Sequence, residues 1–174
     1  SSTGAVRAMA SWPGIDPNRP GDSNADVRLN KATGAVYELG SIYKPLTVAA
    51  AFEAGVLSVN DLFDVSAPLK VGGATVRDAH PLEHPHAVTP QDILAYSSNI
   101  GAAEIGQRLA PGQQKDFLAS LGLLTKPVYA GPPAASPITP KSWDALTLAT
   151  VSYGHGIAVS PLAFAMTYTP FANG

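Results

Sequence analysis

Cysteine is absent from the 174 residues. That removes disulfide scaffolds, thiol nucleophiles and cysteine-built zinc sites, and it suits an oxidising compartment, where a stray thiol is a liability. No run of 18 apolar residues occurs, so no transmembrane helix is expected within these residues. No secretory signal opens the chain; Ser1-Ser2-Thr3-Gly4 reads as a turn between two strands rather than a natural start. A basic stripe is missing too: 11 Lys and Arg against 13 Asp and Glu leave a net charge of −2, which excludes a nucleic-acid footprint. Charge of either sign is scarce, at 14% against 45% hydrophobic residues, so some apolar surface is expected to lie against another element or chain. Neither a Walker A loop nor H-E-x-x-H nor G-x-S-x-G occurs, and there is no internal repeat.

What is present reads as one domain of mostly helices, long enough to bury a core. Ala5–Ser11 alternates as a short strand does, and residues 12–30 form a long polar loop with a turn at Asp16-Pro17-Asn18. Ser41–Ala54 is the clearest helix, with Gly40 before it, Ser41 as its cap and Gly55 as its stop. It is apolar on nearly all faces, which predicts burial on all sides. Gly72-Gly73 predicts a hairpin over Leu69–Arg77. Thr89-Pro90 starts a helix running to Tyr96, followed by helices at Asn99–Leu109, Gln113–Leu121, Ser142–Thr150 and Ser160–Phe171, the last kinked by Pro170. One strand and one hairpin make an incomplete sheet, whose open edges invite self-association.

Two short patterns can carry chemistry. Ser41-Ile42-Tyr43-Lys44 is an S-x-x-K, and a helix puts positions i and i+3 on one face. Lys44 can then reach the Ser41 hydroxyl; burial and a helix N-terminus both lower a lysine pKa, so Lys44 can serve as the base a serine nucleophile needs. Among 14 serines and 6 lysines the bare pattern is not rare, and taken alone a helix cap beside a surface lysine is its plainer reading; Gly40 just before Ser41 and the apolar helix just after Lys44 shift the balance. Ser97-Ser98-Asn99 is an S-x-N between two helices, where a hydroxyl and an amide can face a cleft; Ser58-Val59-Asn60 repeats the pattern, and a helix cap is again the plainer reading.

Taken together and in order, these segments resemble the class B penicillin-binding proteins. Tyr37–Pro45 is similar to their Y-E-x-G-S-x-x-K segment, and Ser97–Gly101 to their S-S-N-x-G. Thr3–Ser11 is similar to their T-G-x-V-x-A-M-A-S strand, and Tyr153–Leu162 to their G-x-G-x-x-V-[ST]-P-L run. The likeness spans essentially the whole chain and is nearest the division-specific branch of alphaproteobacteria. It implies an α+β, penicillin-recognising, β-lactamase-like fold, here as a partial transpeptidase domain over residues 1–174. It implies that Ser41 attacks a D-Ala-D-Ala stem peptide or a β-lactam, with Lys44 as base, Ser97 relaying a proton to the leaving amine, Asn99 holding the substrate amide and the Ser41 N–H stabilising the oxyanion. No cofactor or metal is implied. The partners implied are peptidoglycan stem peptides, β-lactams and, for a full-length protein, division proteins at the periplasmic face of the inner membrane.

The family's third motif, K-[ST]-G, does not occur. The resemblance places it beyond Gly174, and with it a second oxyanion donor. Loss of one such donor costs about 2.7–4 kcal/mol, so these residues alone are expected to acylate poorly. Two other readings stand beside the transpeptidase: a β-lactamase or carboxypeptidase of the same superfamily, and a non-catalytic scaffold in which Ser41 only caps a helix. His80, His84 and His86, with Glu83, could in principle hold zinc, but the prolines among them favour an exposed loop and no metal site. His155, between two glycines, is expected to cap or pack, or by resemblance to lie near the cleft.

Overall fold

The computed structural model describes residues 4–79 and 87–173. At the glycine pair, β2 (Leu69–Val71) and β3 (Ala74–Val76) form a two-residue hairpin, with Leu69 opposite Val76. Gly72 and Gly73 take φ of 55° and 80°, the left-handed pair such a tight hairpin requires. A second antiparallel pair joins β1 (Phe63–Asp64) to β4 (Ala87–Val88). Strands of two residues carry no periodicity, and the sequence reading missed them. Among the described residues the strand expected at Ala5–Ser11 does not form: the segment joins neither two-stranded sheet, and alternation alone does not make a ladder.

The loop over residues 12–30 contains the expected Asp16 turn, with the Asn18 N–H donating to Asp16 Oδ1 at 2.9 Å. It also holds a 3₁₀ turn at Pro20–Asp22 and the short helix α1 (Ala25–Arg28), capped by Asn24. The helix expected from Ser41 starts differently. Gly40–Tyr43 is a 3₁₀ turn that runs into α2 (Lys44–Glu53), and no side chain caps either piece. Ser41 is therefore exposed within a tight turn and is not the cap. Burial of α2 is incomplete as well: Lys44, Leu46, Thr47, Val48, Ala50 and Ala51 are buried, while Phe52 and Glu53 face solvent.

Thr89 closes a capping box with Asp92 at the start of α3 (Pro90–Tyr96). Helix α4 (Asn99–Gln107) follows, then α5 (Gln113–Ser120). Asp144, not Ser142, caps α6 (Ala145–Ser152), so that helix begins and ends later than expected. Ser160 caps α7 (Pro161–Thr167) as expected, and the break before Pro170 separates off α8 (Thr169–Asn173).

The chain divides into two compact units. One comprises Ser1–Tyr37, Ala119–Ile138 and Ala158–Gly174; in it Tyr37 bridges Val159, Ile138 bridges Ala158, and Leu162 N–H donates to the Ala32 carbonyl at 2.9 Å. The other comprises Glu38–Leu118 and Thr139–Ile157. Its apolar core gathers Val48, Ala51, Phe63, Val88, Ile93, Ile105 and Ala149 from α2, the β1–β4 pair, α3, α4 and α6. Glycines permit its closest packing: a Cβ at Gly101 would strike Ile93. Among the described residues no helix is long and apolar enough to cross a membrane.

Candidate active site

The site lies wholly in the second unit. Because α2 begins at Lys44, the lysine opens a core helix directly after the Gly40–Tyr43 turn, and it is only 1% exposed. Its Nζ donates to Ser41 Oγ at 3.0 Å, the i and i+3 pair the sequence predicted. The same ammonium donates to Ser97 Oγ at 2.9 Å and to the Ser97 carbonyl at 2.5 Å. Three oxygens thus surround a buried amine. Burial lowers its pKa to about 8, against the opposing pull of the Asp78 carboxylate, which raises it. An amine in that range releases and takes up a proton near neutral pH, as a general base must.

Ser97 owes its position to the end of α3. It is the helix C-cap and takes φ 61°, the left-handed region, where it is the sole non-glycine among the described residues. That turn swings its hydroxyl toward Lys44. Its neighbour Ser98 does the capping: its Oγ accepts from Gly101 N–H at 3.0 Å, opening α4. The cap reading and the cleft reading of this S-x-N are both right, for different serines. Asn99 is half-buried and donates from Nδ2 to the Arg77 carbonyl at 3.1 Å. The second S-x-N only forms an exposed turn, where Ser58 Oγ accepts from Asn60 N–H at 3.4 Å.

Ser41, Ser97 and Asn99 line one open cleft of about 370 Å³, with Gly40, Asp78, Tyr96, Tyr153 and His155. Asp78 was not foreseen. Its carboxylate accepts from the Ser98 hydroxyl at 2.9 Å and from the N–H groups of Asn99 and Ile100 at 2.5 and 3.0 Å. It thereby satisfies the first N–H groups of α4 and sits where the helix end is positive. Nothing local marks it, because its partners lie 20 to 22 positions away. Glu38 was also missed: Oε1 accepts from Gly156 N–H at 3.0 Å and Oε2 pairs with His155 Nδ1 at 3.4 Å. His155 is therefore at the cleft wall, its ring 5.3 Å from that of Tyr153. Gly154 lies so close to Gly40 that a Cβ there would collide with the Gly40 carbonyl.

Among the described residues no three His, Asp or Glu side chains converge as a metal site would need. His80, Glu83, His84 and His86 lie outside the described residues.

The family model for the penicillin binding protein transpeptidase domain matches residues 1–174. The chain belongs to that family. Among its relatives is the probable peptidoglycan D,D-transpeptidase FtsI of Caulobacter vibrioides, an alphaproteobacterium, 38% identical over 173 residues. The alignment covers 99% of this chain and 29% of that relative. The probable peptidoglycan D,D-transpeptidase PenA of Neisseria flavescens is 33% identical over 172 residues, covering 97% and 42%. The apo structure of the TP domain of Burkholderia pseudomallei penicillin-binding protein 3 superposes with a TM-score of 0.76 at 31% identity, over 84% of this chain and 44% of that one. The chain therefore spans under half the length of these relatives. The expected class B penicillin-binding family and its α+β penicillin-recognising fold are both borne out.

Proposed function

We propose that this chain carries the nucleophile side of a serine D,D-transpeptidase that cross-links peptidoglycan during cell division. One observation supports this most: across 53 positions of sequence, a single buried amine lies within 3.0 Å of both the Ser41 and the Ser97 hydroxyls. In this reading neutral Lys44 takes the Ser41 proton as Oγ attacks the carbonyl carbon of a D-Ala-D-Ala bond. The oxyanion forms beside the Ser41 N–H, at the start of the turn that leads into α2. The C–N bond then breaks, and Lys44 and Ser97 deliver a proton to the departing D-alanine amine. An ester on Ser41 remains. An amine of a neighbouring stem attacks it, losing a proton to the same pair; the C–Oγ bond breaks, Ser41 Oγ takes a proton back from Lys44, and the new amide is the cross-link. A β-lactam follows the first half of this path and stays as the ester.

Asn99 lines the same cleft and would hold a substrate amide, while Tyr153 and His155 form a wall of it. Division proteins would be the partners, and the periplasmic face of the inner membrane the place of work. The two short sheets leave open edges, and self-association through them would appear as a concentration-dependent mass in light scattering.

The test is covalent labelling of the natural full-length chain carrying these residues with a fluorescent penicillin. One adduct per molecule on Ser41 is expected, abolished in Ser41→Ala and in Lys44→Ala. Equal labelling of Ser41→Ala would end the nucleophile assignment.

A further inference from the structure

We infer that the turn closing α6, with the buried side chains behind it, sets the position of Ser41 and Lys44, and that Thr47 and Gln114 are positioning residues for acyl transfer. The inference rests on the acyl-enzyme reading above.

Three bonds hold the nucleophile segment from both sides. Ahead of Ser41, Glu38 accepts from Gly156 N–H at 3.0 Å, and Gly40 N–H donates to the Gly154 carbonyl at 3.3 Å. Behind Lys44, Thr47 Oγ1 donates to the Ser152 carbonyl at 2.9 Å. Positions 38, 40 and 47 are thus pinned to 156, 154 and 152. The acceptor carbonyls belong to Ser152, the last residue of α6, where helix carbonyls lack partners of their own, and to Gly154 in the turn just after it. Thr47 is three residues beyond Lys44 on the same helix face, so its bond sets the rotation of α2 and with it the direction of the lysine.

Ser152 is itself held. It is fully buried, its Oγ donates to the Leu148 carbonyl at 2.7 Å and accepts from Gln114 Nε2 at 2.9 Å. Gln114 Nε2 also donates to Leu148 O at 3.3 Å. Gln114 is only 2% exposed and its Oε1 has no donor among the described residues, so the side chain is kept for its N–H groups. A Cβ at Gly106 would collide with Ser152 Oγ, so α4, which opens with Asn99, also rests on this serine. One residue therefore meets both: its carbonyl takes the Thr47 hydroxyl of the helix carrying the base, and its side chain lies against the helix carrying Asn99.

Apolar groups of equal shape in place of both partners of such a bond can be nearly neutral for stability, since a buried hydrogen bond gains little net energy. What they cannot supply is a fixed register between α2 and α6. A misplacement of about 1 Å at a reacting centre costs on the order of a hundredfold in rate.

The experiment measures penicillin acylation of the natural full-length chain as a limiting rate and a half-saturation concentration, per folded molecule. Thr47→Val, Thr47→Ser and Gln114→Leu are compared with Leu109→Ala, a core change away from the cleft. The expected result is a limiting rate lowered about tenfold to a hundredfold in Thr47→Val and Gln114→Leu, with half-saturation within about twofold of wild type. Thr47→Ser, which keeps the hydroxyl, restores the rate, and Leu109→Ala loses melting temperature but not rate. Wild-type limiting rates in both Thr47→Val and Gln114→Leu, or no rescue by Thr47→Ser, would overturn the inference. If Thr47→Val fails to fold, Gln114→Leu decides alone, since it acts through Ser152 without altering α2. Undiminished labelling of Ser41→Ala would instead remove the acyl-enzyme reading, and this inference with it.

Discussion

The Asp78 carboxylate receives the Asn99 N–H at 2.5 Å, joining the second residue after the β2–β3 hairpin to the first residue of α4. The same carboxylate takes the Ile100 N–H and the Ser98 hydroxyl. Asp78→Ala leaves those donors at a half-buried helix start without their acceptor. A loss of about 1–3 kcal/mol is expected, read by urea denaturation. A change within about 0.5 kcal/mol would mean that water replaces the carboxylate without penalty.

Removing Asp78 also acts on Lys44. Burial sets the ammonium near pH 8, and Asp78 is what raises it. Acylation that needs the neutral amine therefore rises with pH, with a midpoint near 8 and a plateau above. In Asp78→Ala the midpoint moves to lower pH. A flat profile between pH 6 and 9 in the wild type would show that Lys44 is not the group whose proton limits the rate.

The same shift has a stability consequence. Lys44 titrates at about 8 when folded and at an ordinary 10.5 when unfolded. Between those values the unfolded chain holds a proton that the folded chain has released, so this group's contribution to stability rises with pH across that window and is unfavourable below it. Compared with Lys44→Met, whose side chain has no such proton, the wild type gains relative stability from pH 8 upward, as paired denaturant titrations would show.

Ser97 separates stability from chemistry. At φ 61° a Cβ is strained, by about 1–2 kcal/mol in the left-handed region. Ser97→Gly removes the strain, so that variant is expected to be more stable than Ser97→Ala by about 1 kcal/mol. Both lose the hydroxyl that Lys44 meets at 2.9 Å. Loss of a proton-transfer group costs about 10²–10⁴ in rate, so both should turn over a stem peptide far more slowly. Turnover retained in Ser97→Ala would remove Ser97 from the relay.

Gly154→Ala tests the close approach behind the nucleophile. The residue has φ 86°, and its Cβ would meet the Gly40 backbone. Strain alone costs about 1–2 kcal/mol, and the clash pushes on the residue that precedes Ser41. Both melting temperature and limiting acylation rate should fall; an unchanged rate at reduced stability would show that the 3₁₀ turn absorbs the push.

Local chemistry made several of these elements legible. The Gly72-Gly73 pair needs positive φ at adjacent positions, which only a tight hairpin uses, and the Thr89–Asp92 box satisfies its N–H groups within four residues. S-x-x-K spacing likewise brings Ser41 and Lys44 together through one turn of backbone. Elsewhere local rules misled. Ala5–Ser11 has a strand's alternation but belongs to neither sheet of the described residues, and Ser41 looks like a cap yet occupies a 3₁₀ turn that leaves its hydroxyl in the cleft.

The order of residues along the chain was enough to determine which side chains are chemically able to act, because a hydroxyl, an amine and an amide announce themselves by type and by spacing within a turn. Their convergence was decided elsewhere. Lys44 meets Ser97, Asp78 meets Asn99 and Thr47 meets Ser152 across 53, 21 and 105 positions. Such pairs exist only because α2, α4 and α6 pack against one core, and packing between helices depends on the fit of whole faces, which no short stretch of sequence encodes.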